Sequence, residues 1–127
     1  MSRDHRTLRA FQSADDLVVY IYNNTGKFPP EERYGLLSQL RRAAVSVPTN
    51  VVEGCARDSE ADFARFLDIA FASCRELVYL ADLSTRLGFL EPKAAEVISV
   101  EGNKAAGMLS ALRTAIKPRT EDPRPRS

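Results

Sequence analysis

Apolar residues recur at spacings of three and four along four stretches of this chain, and no useful length alternates with period two. The pattern predicts helices and no strands. In the first stretch, residues 13–25, Phe11, Ala14, Leu17, Val18 and Ile21 share one face, so the helix can begin before Ser13. Ser13 with Asp16 resembles a capping box, and Gly26 is placed as a C-terminal glycine. After Pro29 and Pro30, a second helix is expected over residues 31–56. It contains Pro48, which would break or kink it. Its periodicities continue in phase across the proline, favouring one kinked helix over two short ones. Ser59 and Asp62 cap the third, which Gly88 stops. The fourth opens near Pro92 and ends near Lys117 and Pro118, with Gly102 and Gly107 lowering its intrinsic helicity, so that it leans on packing.

Four long segments joined by short connections pack antiparallel. The expected fold is all-α, an antiparallel up-and-down four-helix bundle with a kinked second helix, over residues 11–117. Residues 1–10 are expected as a flexible tail. Residues 118–127, with Pro118, Pro123 and Pro125 among charges of both signs, are expected to be disordered.

The second helix has more apolar surface than a bundle seam requires. Leu36, Leu40, Ala43, Val47, Val51 and Gly54 form the seam, with Leu37, Ala44 and Cys55 on its shoulder. Val45, Pro48 and Val52 widen the arc to about 200°, against roughly 100° for a surface helix. Arg41 alone interrupts it. Phe66, Ile69, Leu80 and Leu87 widen the third helix's arc in the same way. Either these two helices each contact both neighbours, or the surplus is a subunit interface. Candidate interface residues are Val45, Pro48, Val52, Phe66, Ile69 and Leu80.

On the remaining side of the second helix, Gln39, Arg42, Ser46, Asn50, Glu53 and Arg57 follow one another at spacings of three and four, in one line. Such a stripe could meet phosphates or base edges. It could equally be a solvated face laced by pairs such as Glu53–Arg57. A third reading is an inter-helix network with Arg75, Glu76 or Glu101. Glu101 falls on the apolar face of the fourth helix, where a buried carboxylate would need a partner such as Arg42.

Composition narrows the chemistry. With 127 residues, 44% hydrophobic and 28% charged, the chain is one soluble globular domain. A formal net charge of +1 excludes a strongly basic nucleic-acid binder but leaves room for a local basic patch. The only histidine, His5, removes Ser-His-Asp and Cys-His catalysis and ordinary histidine metal sites. The six glycines are scattered, so no phosphate-binding loop is present. No apolar run spans a bilayer or follows the N-terminal charges as in a signal peptide, so a bacterial cytoplasmic location is expected. Cys55 and Cys74 fall on apolar positions and are expected as reduced core residues. No cofactor, metal or small-molecule substrate is indicated.

The run Tyr34-Gly35-Leu36, Gln39-Leu40-Arg41-Arg42-Ala43-Ala44 and Ser46-Val47-Pro48-Thr49-Asn50-Val51-Val52-Glu53-Gly54 resembles the signature of the 23S rRNA intervening-sequence proteins. Ile21-Tyr22, Thr25, Phe28-Pro29, Phe63, Phe66-Leu67, Ile69-Ala70, Ser73, Glu76-Leu77 and Leu87-Gly88-Phe89-Leu90 fit the same pattern, over about residues 8–115. Ala72 departs from it, where the family commonly has glycine; nothing functional turns on that position. The resemblance implies an antiparallel bundle and a ring-like homo-oligomer, a pentamer. Related bundles of diversity-generating retroelements are pentameric accessory proteins that bind nucleic acid and a reverse transcriptase. The family name reflects genes lying within insertions in 23S rRNA genes, and the family supplies no catalytic residues. Arg41, Arg42, Asn50 and Glu53 are the polar members of the motif. Three functions therefore compete: a homo-oligomer presenting Arg41, Arg42 and Arg57 to RNA or a ribonucleoprotein, a protein–protein scaffold, and an enzyme. The last would need Glu53, Glu76 and Glu101 to converge in a pocket.

Overall fold

The computed structural model describes residues 3–120. Four helices carry the fold: α1 (Arg9–Asn23), α2 (Leu36–Cys55), α3 (Glu60–Arg86) and α4 (Pro92–Thr120). No strand occurs among the described residues. Each helix packs against its two neighbours, α1 on α2, α2 on α3, α3 on α4 and α4 back on α1, and among the described residues no pair packs across the diagonal. Paired contacts show that neighbours run antiparallel: Ser46 meets Ser73 while Gly54 approaches Phe66, and Asp68 meets Arg113 while Arg75 meets Asn103. Leu17, Ile21, Leu40, Val47, Val51, Leu67, Leu77, Ile98 and Leu109 interlock in the centre, all nearly inaccessible to water. Among the described residues, no helix is long and apolar enough to cross a membrane.

The helix ends follow local chemistry. Ser59 Oγ accepts the Asp62 amide at 3.0 Å and opens α3. Gly88 closes it with φ at +83°, the conformation that glycine adopts without strain. The Gly88 amide then reaches the Thr85 carbonyl (3.0 Å) and the Phe89 amide reaches Ser84 (2.9 Å), which is a Schellman cap. Pro92 opens α4 as expected.

Other boundaries move. The α1 helix begins at Arg9, so Ser13 lies inside it and its capping box is unused. A 3-10 turn, His5–Thr7, capped by the Asp4 side chain, leads into it. The chain expected as a loose tail takes a defined course from Arg3, whose amide reaches the Cys55 carbonyl at 3.3 Å. At the other end of α1, Asn24 is the cap in place of Gly26; its Nδ2 donates to the Tyr20 carbonyl at 2.8 Å. Pro30 opens only a 3-10 turn, Pro30–Glu32, and α2 starts five residues later than expected, at Leu36 rather than Glu31. There the Glu32 carboxylate accepts the Leu36 amide at 2.8 Å, in place of a capping side chain at Gly35. The α2 helix is unbroken through Pro48. Of the tail expected from Pro118, residues 118–120 continue α4 and residues 121–127 lie outside the described residues.

Gly54 and Gly102 sit where helices approach closely. A Cβ at Gly54 would lie 2.9 Å from Phe66 Cβ on α3, and one at Gly102 would lie 2.5 Å from Val78 Cγ2. The Gly102 carbonyl accepts the Cys74 thiol at 3.4 Å. Both cysteines are free and buried. Desolvation pushes the Cys74 thiol up to about 11, and it raises that of Cys55 as well. They are core residues, as their apolar positions predict.

Candidate functional site

The polar line on α2 does not behave as one surface. Its middle is turned into α3. Ser46 Oγ and Ser73 Oγ share a hydrogen bond at 2.8 Å, and Asn50 Nδ2 donates to Ser46 Oγ (3.0 Å) and to the Ser46 carbonyl (2.8 Å). This is an inter-helix network, with Ser73 as partner instead of Arg75, Glu76 or Glu101. Arg75 instead donates to Asn103 on α4 at 3.0 Å. Glu101 is not a buried partner of Arg42; it is substantially exposed and lies 3.7 Å from Lys104 on its own helix. Near the C-terminal end of α2, Arg57 pairs with Glu53 at 3.1 Å across one helical turn. Its guanidinium, with that of Arg65, covers the Phe66 ring at 4.8 and 4.7 Å. Gln39 and Arg42 remain exposed at the opposite end.

The apolar surplus also divides. Pro48 and Leu80 are buried within the bundle and belong to its core, not its surface. Phe66 is half-buried under its two arginines. Val45, Val52 and Ile69 remain at the surface, each 37–39% exposed.

Sequence periodicity misses the feature at the other end of the bundle. There the α1–α2 connection packs against the α3–α4 connection through Phe28 and Phe89, with ring centres 5.8 Å apart. Around it opens a cleft of about 660 Å³ lined by Tyr22, Arg33, Tyr34, Arg41 and Arg42, with Pro29 and Pro30 in its wall. Among the described residues, no carboxylate lines it. Glu32, the nearest acid in sequence to Arg33, is committed to the Leu36 amide.

Arg41 explains how the cleft holds its shape. It interrupts the apolar arc of α2 because that side faces the α1–α2 connection. Its Nε and Nη2 both donate to Thr25 Oγ1, at 3.0 and 2.8 Å, and its guanidinium lies 4.5 Å from the Tyr22 ring centre. Thr25 is only 1% exposed. The planar fork is thus fixed on two sides before any ligand arrives. Among the described residues, Arg33, Arg41 and Arg42 form no ion pair with a carboxylate. Three guanidiniums beside two tyrosines can take phosphate by charge-assisted hydrogen bonds and a flat ring by stacking. The signal in the sequence was Arg33-Tyr34, a basic–aromatic pair in a connection, outside every helical period.

Four antiparallel helices, with a polar network between α2 and α3 and a basic cleft at one end, define a small all-α bundle protein. The profile of the 23S rRNA-intervening sequence proteins matches residues 6–111, and the chain belongs to that family. The fold is also that of a crystal structure from Bacteroides thetaiotaomicron, a protein of unknown function from the S23 ribosomal protein family. The two superpose with a TM-score of 0.75 at 22% identity, covering 83% of this chain and 95% of that one. No curated protein matches the chain.

Proposed function

We propose that this chain is a non-enzymatic subunit of a symmetric homo-oligomer, pentameric on the family resemblance, that binds RNA. The observation carrying the RNA reading is the cleft where Arg33, Arg41 and Arg42 converge without a lining carboxylate. A net charge of +1 does not oppose it, because the remaining charges are spread in pairs such as Glu53–Arg57, Asp82–Arg86 and Asp68–Arg113. Symmetric repetition places the same three arginines several times on one particle and multiplies their local field. The family's name, which refers to 23S rRNA, and the S23 ribosomal protein family of the structural neighbour lend support.

The exposed Val45, Val52 and Ile69 support self-association. Light scattering is expected to give a mass several times the 14.1 kDa of one chain, and Val45→Glu with Val52→Glu is expected to reduce it. A monomeric wild type would refute the assembly. The RNA reading is tested by binding of structured RNA across a salt series, where affinity is expected to fall steeply as salt rises. Absent binding at low salt, or affinity indifferent to salt, would leave the scaffold reading. That alternative draws on the Asn50–Ser46–Ser73 network, which gives the middle of the polar line a structural role.

A further inference from the structure

We infer that the cleft between α1 and α2 binds single-stranded RNA, stacking a base on Tyr34 and holding the adjacent phosphates on Arg33 and Arg42. This rests on the RNA reading above and specifies its site and substrate class.

Tyr34 is 88% exposed, far more than any other large hydrophobic side chain described. Folding gains almost nothing from that ring. Its backbone is nonetheless well anchored. On one side stand Pro29 and the 3-10 turn Pro30–Glu32; on the other, α2 begins with its first amide held by Glu32. The ring is therefore presented from a braced segment. Arg33 approaches it loosely, its guanidinium carbon 5.9 Å from the ring centre, which leaves ring surface open to a base.

Behind Tyr34, the cleft supplies positive charge at two depths. Arg41 is fixed in the wall by Thr25 and Tyr22, and acts as a positioning residue for the basic lining. Arg42 and Arg33 are exposed and line the cleft. A volume of about 660 Å³ falls in the range of small-molecule pockets and admits a nucleotide. Phosphate contacts alone would suit duplex and single strand alike, but an uncovered aromatic ring does not. Bases in a duplex are stacked on each other, whereas an unpaired base offers a free face to an aromatic ring or a guanidinium plane.

The test is fluorescence anisotropy with the full chain, using a labelled oligouridine of about 12 nucleotides and an RNA duplex of equal length. Tyr34→Ala is compared with Tyr34→Phe, both checked by circular dichroism and light scattering; the exposure of Tyr34 predicts that both fold normally. Wild type is expected to prefer the single strand. Tyr34→Ala is expected to lose about 5- to 100-fold on it, with less than about twofold change on the duplex, and Tyr34→Phe to retain affinity. If Tyr34→Ala binds the single strand as tightly as wild type, or if wild type prefers the duplex, the cleft assignment is overturned while RNA binding stands. If wild type binds neither RNA at low salt, both readings fall.

Discussion

Gly54→Ala tests the packing of α2 on α3 most sharply. The added methyl would sit 2.9 Å from Phe66 Cβ, 3.1 Å from Phe63 Cδ1 and 3.4 Å from the Phe63 carbonyl oxygen. Phe66 Cβ is bonded to the α3 backbone, so no side-chain rotation relieves the clash. The helices must part. Overpacking of this kind costs about 1–3 kcal/mol. Against it stands the gain from removing a glycine from a helix, about 1 kcal/mol. Gly107 on α4 supplies the reference, because a methyl there meets nothing within 4 Å. Gly107→Ala should therefore collect the helical gain alone. Subtracting one variant from the other cancels the propensity and leaves the steric cost. At roughly 4 °C per kcal/mol for a chain of this size, the two melting points should differ by roughly 4–12 °C, with Gly54→Ala the lower. The assay is thermal unfolding by far-UV circular dichroism at equal protomer concentration, since the proposed assembly would make the midpoint concentration-dependent. A Gly54→Ala protein that melts at or above Gly107→Ala, with unchanged mass, would refute the close approach.

Three further outcomes follow from the core and the N-terminal segment. Cys55 and Cys74 should resist thiol reagents at pH 8 in the folded chain, and both should react once it is unfolded. Because burial raises the Cys74 thiol to about 11, its neutral form is favoured by folding. Its stabilising contribution is complete below the ordinary thiol range of about 8.5 and is lost as pH rises through about 11, so Cys74→Ala should soften the alkaline fall in stability. Arg3→Ala removes hydrogen bonds to the Arg57 carbonyl (3.1 Å) and Glu60 (3.2 Å) and a guanidinium 4.1 Å above the Phe63 ring. With Arg3 partly exposed, the loss should be about 1 kcal/mol, with faster amide exchange over Asp4 to Leu8; unchanged exchange there would show that Arg3 does not anchor the segment.

The bundle was legible because its signals are local. Ser59 and Gly88 mark their helix ends through bonds within a few residues, and the spacing of Leu36, Leu40, Val47 and Val51 reports one buried face. The starts of α1 and α2 were less so: Ser13 carries the right chemistry but α1 already begins at Arg9, and Pro30 opens a 3-10 turn that delays α2 to Leu36. The polar line on α2 misled for a different reason. A helical wheel treats one helix alone, whereas Ser46 is used by α3, Asn50 is turned back onto Ser46, and the nearby Arg41 is used by the α1–α2 connection. Helix periodicity could not find the Arg–Tyr cleft, since its walls come from the end of α1, a connection and the first turns of α2. Glu101 likewise sits on an apparent apolar face, yet α1 packs there loosely enough to leave it in water beside Lys104.

The central claim, that the arginines of the α1–α2 end hold RNA, is tested most directly by the salt dependence of RNA affinity with and without them. Wild type and an Arg33→Ala, Arg42→Ala double variant are titrated with the same unstructured RNA at several salt concentrations. Each lost phosphate contact should flatten the plot of log affinity against log salt by about 0.7 on a single strand, so the double variant should be shallower by about 1.4. A double variant with the wild-type slope and affinity would contradict the account.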